Sequence, residues 1–234
     1  MFHFLELPAQ TPIFKRLQLE EALLRSDERS FCIVHFGSPR AIVMGISGEP
    51  ETLLHKEKVE KEKLPVIRRF SGGGTVIVDE NTLFITFIAA KKDLDVEPFP
   101  EPILRWAADL YKEAWKIPGF TLKENDYCIE DRKCGGNAQY IRKDRWLLHT
   151  SFLWDFEEKN MEALTLPQKQ PHYRQKRSHT DFLCRLKGYG KHWSQWVEDL
   201  KKMLDVKPLY ISDLNLEELE NGSHRKTTHF LFNG

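Results

Sequence analysis

One segment, Arg68-Arg69-Phe70-Ser71-Gly72-Gly73-Gly74-Thr75, constrains this chain more than any other. Val66-Ile67 precedes it and the β-branched run Thr75 to Val78 follows, so the glycines join two strands. Glycine lets the backbone take positive φ and approach a ligand with no Cβ between them. Successive free N–H groups in such a turn form an anion-binding nest. The arginines before it add forked donors suited to phosphate or carboxylate. No Lys-Ser/Thr follows, which excludes a Walker A loop, and a strand in place of a helix excludes the dinucleotide fingerprint. A bare glycine run is equally a flexible hairpin tip; its neighbours here favour ligand binding.

Around this segment the patterning alternates between strands and helices. Thr11-Pro12 reads as a helix start, with Thr11 as N-cap, and apolar residues at helical spacing carry the helix to about Arg25. Phe31 to Phe36 reads as a strand, and Ala41 to Met44 as its hairpin partner across Gly37-Ser38-Pro39. Glu51 to Lys63 reads as a charged surface helix. Thr75 to Val78 is expected to return beside Val66-Ile67, and Leu83 to Ala89 is a further strand. Pro98 to Pro102 is a loop before a helix over Ile103 to Trp115. Tyr127 to Ile129 and Trp146 to Trp154 are strands, and Gly135-Gly136 marks a turn. Met161 to Leu164 starts a short helix, Gln168 to Lys176 is a polar, mobile loop, and Trp193 to Leu204 is a helix. Short turns between strands imply a largely antiparallel or mixed sheet. The fold class is therefore α+β with flanking helices. The chain reads as a single domain over 1–234, with a tail from Asn215 whose weak patterning suggests loose order.

The second informative segment is Asp131 to Gln139, where Lys133 sits beside Gly135-Gly136. A lysine amine is a compact charge able to reach between a carboxylate and a phosphate. From spacing alone, though, a lysine before a turn is a solvated charge. His149, in the apolar run Leu147 to Leu153, is from its setting alone a satisfied core residue.

Composition sets outer limits. Formal net charge is zero over 234 residues, which argues against bulk electrostatic binding to nucleic acid. No stretch approaches the roughly 18 apolar residues of a membrane span, and the N-terminus lacks a signal-peptide pattern. Cys32, Cys128, Cys134 and Cys184 show no metal-ligand spacing and read as reduced thiols. The protein is expected to be cytoplasmic and, by default, a monomer.

Taken in order, these segments resemble the lipoate–protein ligase family of the biotin/lipoate ligase superfamily. Arg68 to Gly74 matches its RR-aromatic-SGGG motif, and Asp79 matches the Asp after the next strand. Asn125-Asp126 matches its N-D pair, and Lys133, Gly136, Asn137 and Ala138 its K-x-x-G-N/S-A loop. His149 to Leu153 loosely matches its H-G-T-L-L strand. The resemblance implies a catalytic domain related to class II aminoacyl-tRNA synthetases. It implies that lipoate, or octanoate, is activated with ATP and Mg²⁺ to an acyl-AMP. The acyl group would then pass to a lysine of a 2-oxoacid dehydrogenase E2 lipoyl domain or glycine-cleavage H protein.

In that scheme Lys133 contacts the acyl carbonyl and the α-phosphate. Arg69, Ser71, Gly72, Gly73 and Gly74 border the acyl and phosphate pocket, together with His149. Gly136, Asn137 and Ala138 face the nucleotide. Asn125 and Asp126 are the nucleotide or Mg²⁺ candidates, and Phe70, Val76, Val78 and Phe152 the acyl-channel candidates. A lysine between two anions offsets their repulsion as they react.

The sequence also departs from the family. Val78 stands where His is common, and Thr150 replaces the Gly after the strand histidine. Leu166 to Leu183 resembles a variant branch, P-x-x-x-P-x-Y-R-x-x-R-x-H. The C-terminal accessory region of longer ligases is expected to be absent. Three rivals remain. An ATP-independent octanoyl-type transferase would use a cysteine thioester, with Cys134 and Cys184 as candidates that otherwise read as small buried hydrophobes. A biotin ligase would carry G-R-G-R, which is missing. A non-catalytic binder of lipoyl domains would not need Lys133.

Overall fold

The computed structural model describes residues 1–166 and 170–233. Its strands are β1 (Phe2–Glu6), β2 (Phe31–Phe36), β3 (Ala41–Met44), β4 (Val66–Arg68), β5 (Val76–Val78), β6 (Thr82–Ala90), β7 (Phe120–Lys123), β8 (Asp126–Ile129), β9 (Arg132–Ile141), β10 (Arg145–Leu153), β11 (Val206–Leu209) and β12 (His229–Phe232). The helices are α1 (Ile13–Ser26), α2 (Pro50–Leu53), α3 (Lys56–Lys61), α4 (Pro100–Trp115), α5 (Glu158–Met161), α6 (His179–Phe182), α7 (Trp193–Met203) and α8 (Leu216–Asn221).

Two sheets form, one eight-stranded in the order β11-β1-β2-β6-β10-β9-β8-β7 and one four-stranded in the order β12-β4-β3-β5. Only the β1–β11, β1–β2 and β3–β4 pairs within these sheets are parallel. This is the α+β arrangement that short connections imply.

The large sheet buries both faces. In β10, Trp146, Leu148 and Phe152 point toward α4 and α7, where Tyr111, Trp115 and Trp196 complete the main core. Leu147 points the other way, into a second cluster with Phe31, Ile33 and Ile88. Among the described residues, no helix is long and apolar enough to cross a membrane.

Several elements differ from the sequence reading. Ala41–Met44 does not pair with Phe31–Phe36; it leaves for the small sheet and lies between β4 and β5. The glycine segment is therefore no hairpin tip, because it carries the chain across β3. Gly135-Gly136 is not a turn but the middle of β9. Thr11 does not cap α1; its Oγ1 donates back to the Pro8 carbonyl, and Pro12 holds the cap position. The Glu51–Lys63 helix is two short ones, α2 and α3. The Met161 helix ends where it was expected to begin.

The tail after Asn215 is built into the fold. There α8 packs on α1, β12 pairs with β4, and the Glu21 carboxylate accepts hydrogen bonds from Thr227 and Thr228. Of the polar loop, Gln168 and Lys169 lie outside the described residues. The rest forms a 3-10 turn over His172–Arg174 that buries Arg174.

Candidate active site

The two sheets and α1 enclose a cleft of about 760 Å³. Its walls bring together Arg69, Gly72, Gly73, Gly74, Asn125, Asp126, Lys133, Gly136, Asn137, Ala138 and His149. The glycine loop lies directly on β9. A Cβ added to Gly73 would come within 3.3 Å of the Ala138 Cβ and 3.5 Å of the Asn137 carbonyl oxygen. Gly73 has φ +100°, a conformation L side chains rarely adopt. Gly45, at the end of β3, makes the approach possible: a Cβ there would meet the Gly73 carbonyl oxygen at 2.1 Å.

Arg69 is the fastener beneath this loop. Its guanidinium is buried and donates to the Gly72 carbonyl at 2.7 Å, the Gly74 carbonyl at 2.9 Å and Ser71 Oγ at 3.0 Å. Burial lowers its pKa to about 10, so it keeps its charge at neutral pH. Carbonyl dipoles compensate that charge.

A polar chain continues from the loop into the core. Ser71 Oγ lies 2.9 Å from His149 Nε2, and His149 Nδ1 lies 3.0 Å from Glu20 Oε2. Glu20 Oε1 accepts from Arg16 Nε at 2.6 Å and from Thr86 Oγ1 at 2.7 Å. Arg16 also meets His35 Nδ1. Burial alone would raise the Glu20 pKa, but the charge of Arg16 and the bonds from His149 and Thr86 outweigh it and hold it at about 2. Burial lowers the His149 pKa. A neutral imidazole then donates Nδ1–H to Glu20 and accepts the Ser71 hydroxyl proton at Nε2. Ser71, His149, Glu20, Thr86 and Arg16 each have a partner, as a stable buried network requires, while His35 Nε2 has none among the described residues.

Lys133 is aimed into the cleft by an irregularity in β9. Asp126 pairs with Gly136 and Tyr127 with Gly135, but Cys128 pairs with Lys133, so Cys134 is a bulge residue. The extra residue turns Lys133 to the face that carries Asp126 and Gly136. Its Nζ lies 2.8 Å from Asp126 Oδ1 and passes 3.2 Å from where a Gly136 Cβ would stand. Gly135 is bare for the opposite face, where a Cβ would come within 2.7 Å of Phe152 Cδ1. The glycine pair thus lets a strand accept a lysine on one side and an aromatic core on the other.

The strap after α5 closes this corner. The Tyr173 hydroxyl donates to Asp126 Oδ2 at 2.8 Å. Arg174 lines the cleft, rests its guanidinium 4.7 Å from the Phe182 ring centroid, and is only 4 % exposed. Its Nη2 has no hydrogen-bond partner among the described residues. His179 stands in the same wall, its pKa lowered to about 4 by burial and the charges of Arg174 and Lys133.

The remaining candidates divide. Val76 and Val78 line the cleft between the sheets with Ile13, Leu17, Val43 and Phe84. Phe70 and Phe152 do not. Phe70 is buried in the cluster around Leu5 and Phe31, and Phe152 packs against Tyr111, Trp115 and Tyr127. Phe152 follows from strand parity, since it shares the face of Trp146 and Leu148. Ser71 sits behind the loop, fully buried, and reaches the cleft through His149. Asn125 presents its carbonyl to Asn137 Nδ2 at 3.0 Å. Asp79 is buried against Thr82 and Asn160, away from the cleft. Neither Cys134 nor Cys184 lines the cleft.

Sequence reasoning missed Arg16, Glu20, Gly45 and Tyr173. Glu20 had a usable signal: it stands on the apolar stripe of α1, three residues after Leu17 and four before Leu24.

Residues 12–204 match the lipoyl protein ligase A/B catalytic domain. The chain belongs to that family. Among its relatives, the inactive lipoate–protein ligase 2 of Plasmodium falciparum is 26% identical over 75% of this chain and 61% of its own length. The lipoate-protein ligase LplJ of Bacillus subtilis is 30% identical over 59% of this chain and 42% of its own. The chain thus spans about half the length of the curated relatives it matches.

Two solved structures share the fold. A lipoate-protein ligase A bound with ATP superposes with a TM-score of 0.74 at 17% identity, covering 94% of this chain and 95% of that one. A bipartite lipoate protein ligase of Thermoplasma acidophilum, studied with its E2 lipoyl domain, gives 0.73 at 17% identity over 94% of this chain and 92% of that one.

Proposed function

We propose that this protein activates lipoate, or octanoate, with ATP to an acyl-adenylate and transfers the acyl group to a lysine of an acceptor protein. The observation that carries the reading is the contact between the glycine loop and β9, which lets the Gly72–Gly74 backbone and Lys133 Nζ face one cleft. The aliphatic chain lies between the sheets along Val43, Val76, Val78 and Phe84. The α-phosphate lies at the corner of Lys133 and Arg174, with Asn137 and Ala138 toward the nucleotide.

Lys133 leaves Asp126 for the anions as they meet, and offsets the charge that builds between carboxylate and phosphate. The second step is one of alignment, in which the acceptor amine is held against the activated carbonyl.

Among the described residues, no group of three His, Cys, Asp or Glu side chains is poised for a metal. Asp126, beside Lys133, is the carboxylate that would hold a Mg²⁺. Bound there, Mg²⁺ would neutralise phosphate charge. Acceptors of the class named for the Thermoplasma relative, an E2 lipoyl domain, fit the reading, as does a glycine-cleavage H protein.

One observation favours a second reading. The Plasmodium relative is an inactive ligase, and the second reading is a binder of lipoyl domains without chemistry. The intact Lys133–Asp126 pair and free Arg174 donor favour catalysis. A thioester route has no support from geometry, because both candidate thiols lie off the cleft. The test is ATP–pyrophosphate exchange with lipoate. Lipoate-dependent exchange is expected, and its absence together with retained lipoyl-domain binding would establish the binder.

A further inference from the structure

Two of the cysteines lie side by side behind the lysine. A parallel bridge joins Lys133 to Leu183, and the Cys184 N–H donates to the Lys133 carbonyl at 2.9 Å. The next residues on the two segments are Cys134 and Cys184, and both side chains pack in the main core. The Cys134 Sγ–H donates to the Tyr127 carbonyl at 3.3 Å and the Cys184 Sγ–H to the Arg132 carbonyl at 3.4 Å. Register neighbours in a sheet stand about 5 Å apart, inside the roughly 4.4–6.8 Å between Cα atoms that a disulfide spans.

Their surroundings differ in a way that assigns roles. Cys134 is fully buried in the main core, with Sγ 3.3 Å from the Tyr127 carbonyl oxygen. Burial raises its pKa well above the ordinary thiol value. Cys184 lines a separate open cleft of about 930 Å³ with Arg132, Arg185, Lys187 and Tyr189. Arg185 and Lys187 are both paired to Asp155, which leaves Arg132 as the cation toward Cys184. The neighbouring Cys134 thiol and the charge of Arg132 lower the Cys184 pKa against the effect of burial. Cys184 also packs in the main core and is only 4 % exposed, but it reaches the wall of that cleft, which Cys134 does not. A thiol at a cleft wall with its thiolate favoured, next to a second thiol, has the arrangement of a reactive and a resolving cysteine.

We propose that Cys184 is a peroxide-reactive modification site and that Cys134 resolves it, closing an intramolecular disulfide directly behind Lys133. The Cys184 thiolate attacks one oxygen of hydrogen peroxide, the O–O bond breaks, and a sulfenic acid and hydroxide form. Hydroxide takes the Cys134 proton. The Cys134 sulfur then attacks Cys184 Sγ, the S–O bond breaks, and the departing hydroxide takes from solvent the proton that Cys184 gave up on ionising and leaves as water. Two thiols and one hydrogen peroxide become one disulfide and two waters.

The bond would staple Leu183 to β9. Leu183 is where the strap bearing Tyr173 and Arg174 joins the lysine's strand. This inference does not depend on the proposed ligase chemistry.

The test uses the full chain treated with hydrogen peroxide, then denatured for thiol counting and mapped by mass spectrometry. Free thiols should fall from four to two, with one peptide pair linked through Cys134 and Cys184. Cys134→Ser should leave a sulfenic acid at Cys184 that dimedone traps, and Cys184→Ser should abolish the thiol loss. Retention of all four thiols would overturn the proposal. So would a bridge through Cys128 or Cys32, or a sulfinic acid at Cys184 with no bridge. If a serine variant does not fold, the wild-type peptide map decides alone.

Discussion

Two polar regions meet at the cleft, and they are built on opposite terms. Under the glycine loop, Arg69, Ser71, His149, Glu20 and Arg16 form a closed network in which each member is partnered and all but the half-buried His149 are buried. Across the cleft, Lys133 is partly exposed, with a salt bridge to Asp126, and Arg174 keeps a donor without a partner among the described residues. The first region is a scaffold, because a buried network loses stability when any partner is removed. The second suits the proposed chemistry, because its cations can exchange their present contacts for a ligand's oxygens. The difference separates residues that shape the cleft from those the proposed reaction would use, although both border the same volume.

Substitutions on the two sides should therefore fail in different ways. The largest effect on activity is expected from Lys133→Ala, which should lower lipoate-dependent ATP–pyrophosphate exchange by about 100-fold or more. Its melting temperature should stay near that of the wild type. A parallel drop in melting temperature would blur the contrast. Glu20→Ala should do the reverse. It leaves Arg16 buried without its carboxylate, at a cost of about 3–5 kcal/mol. For a chain of this size, calorimetry should show a melting-temperature loss on the order of 10 °C.

Gly73→Ala tests the seam between the regions. At φ +100°, its Cβ would stand 2.8 Å from Arg69 Nη2. Strain of about 1–3 kcal/mol is expected. The KM for ATP should rise about tenfold, with a smaller change in kcat. An unchanged KM would show that the loop does not touch the nucleotide.

The smallest effect is a pH dependence that belongs to the scaffold. His35 is pushed down to about 3 by burial and the charge of Arg16. A depressed histidine contributes stability that is fully present above its unfolded pKa of about 6.5 and is lost as pH falls toward 3. Glu20, held at about 2, adds a second loss below about pH 4.5. Melting temperature should decline from pH 6.5 downward. His35→Gln should flatten that decline between pH 6.5 and 4.5, and an unchanged slope would assign it to other groups.

The sequence made one region far more legible than the other. The lysine, the glycines and Asp126 could be placed because their spacing follows a known family pattern over the first two-thirds of the chain. Arg16 and Glu20 could not be placed in the same way, because a helix i,i+4 charge pair reads first as a solvated face. Only the position of Glu20 on the stripe of Leu17 and Leu24 distinguishes it. Gly135-Gly136 was misread as a turn because glycine signals both turns and close packing, and only the bulge at Cys134 shows which applies. β3 was misassigned because a short linker usually joins paired strands, whereas here it switches sheets. Phe152 was placed on a channel that strand parity denies it, and Phe70, in the loop after β4, packs in the cluster around Leu5 and Phe31 instead.

The central claim is that the amine of Lys133 and the glycine loop hold one mixed anhydride together. Isothermal titration with a non-hydrolysable sulfamoyl analogue of lipoyl-adenylate tests it most directly. The analogue should bind the wild-type protein much more tightly than lipoate or AMP alone, and Lys133→Ala should lose about 100-fold of that affinity. Equal affinity in the two proteins, or no gain over AMP, would contradict the account.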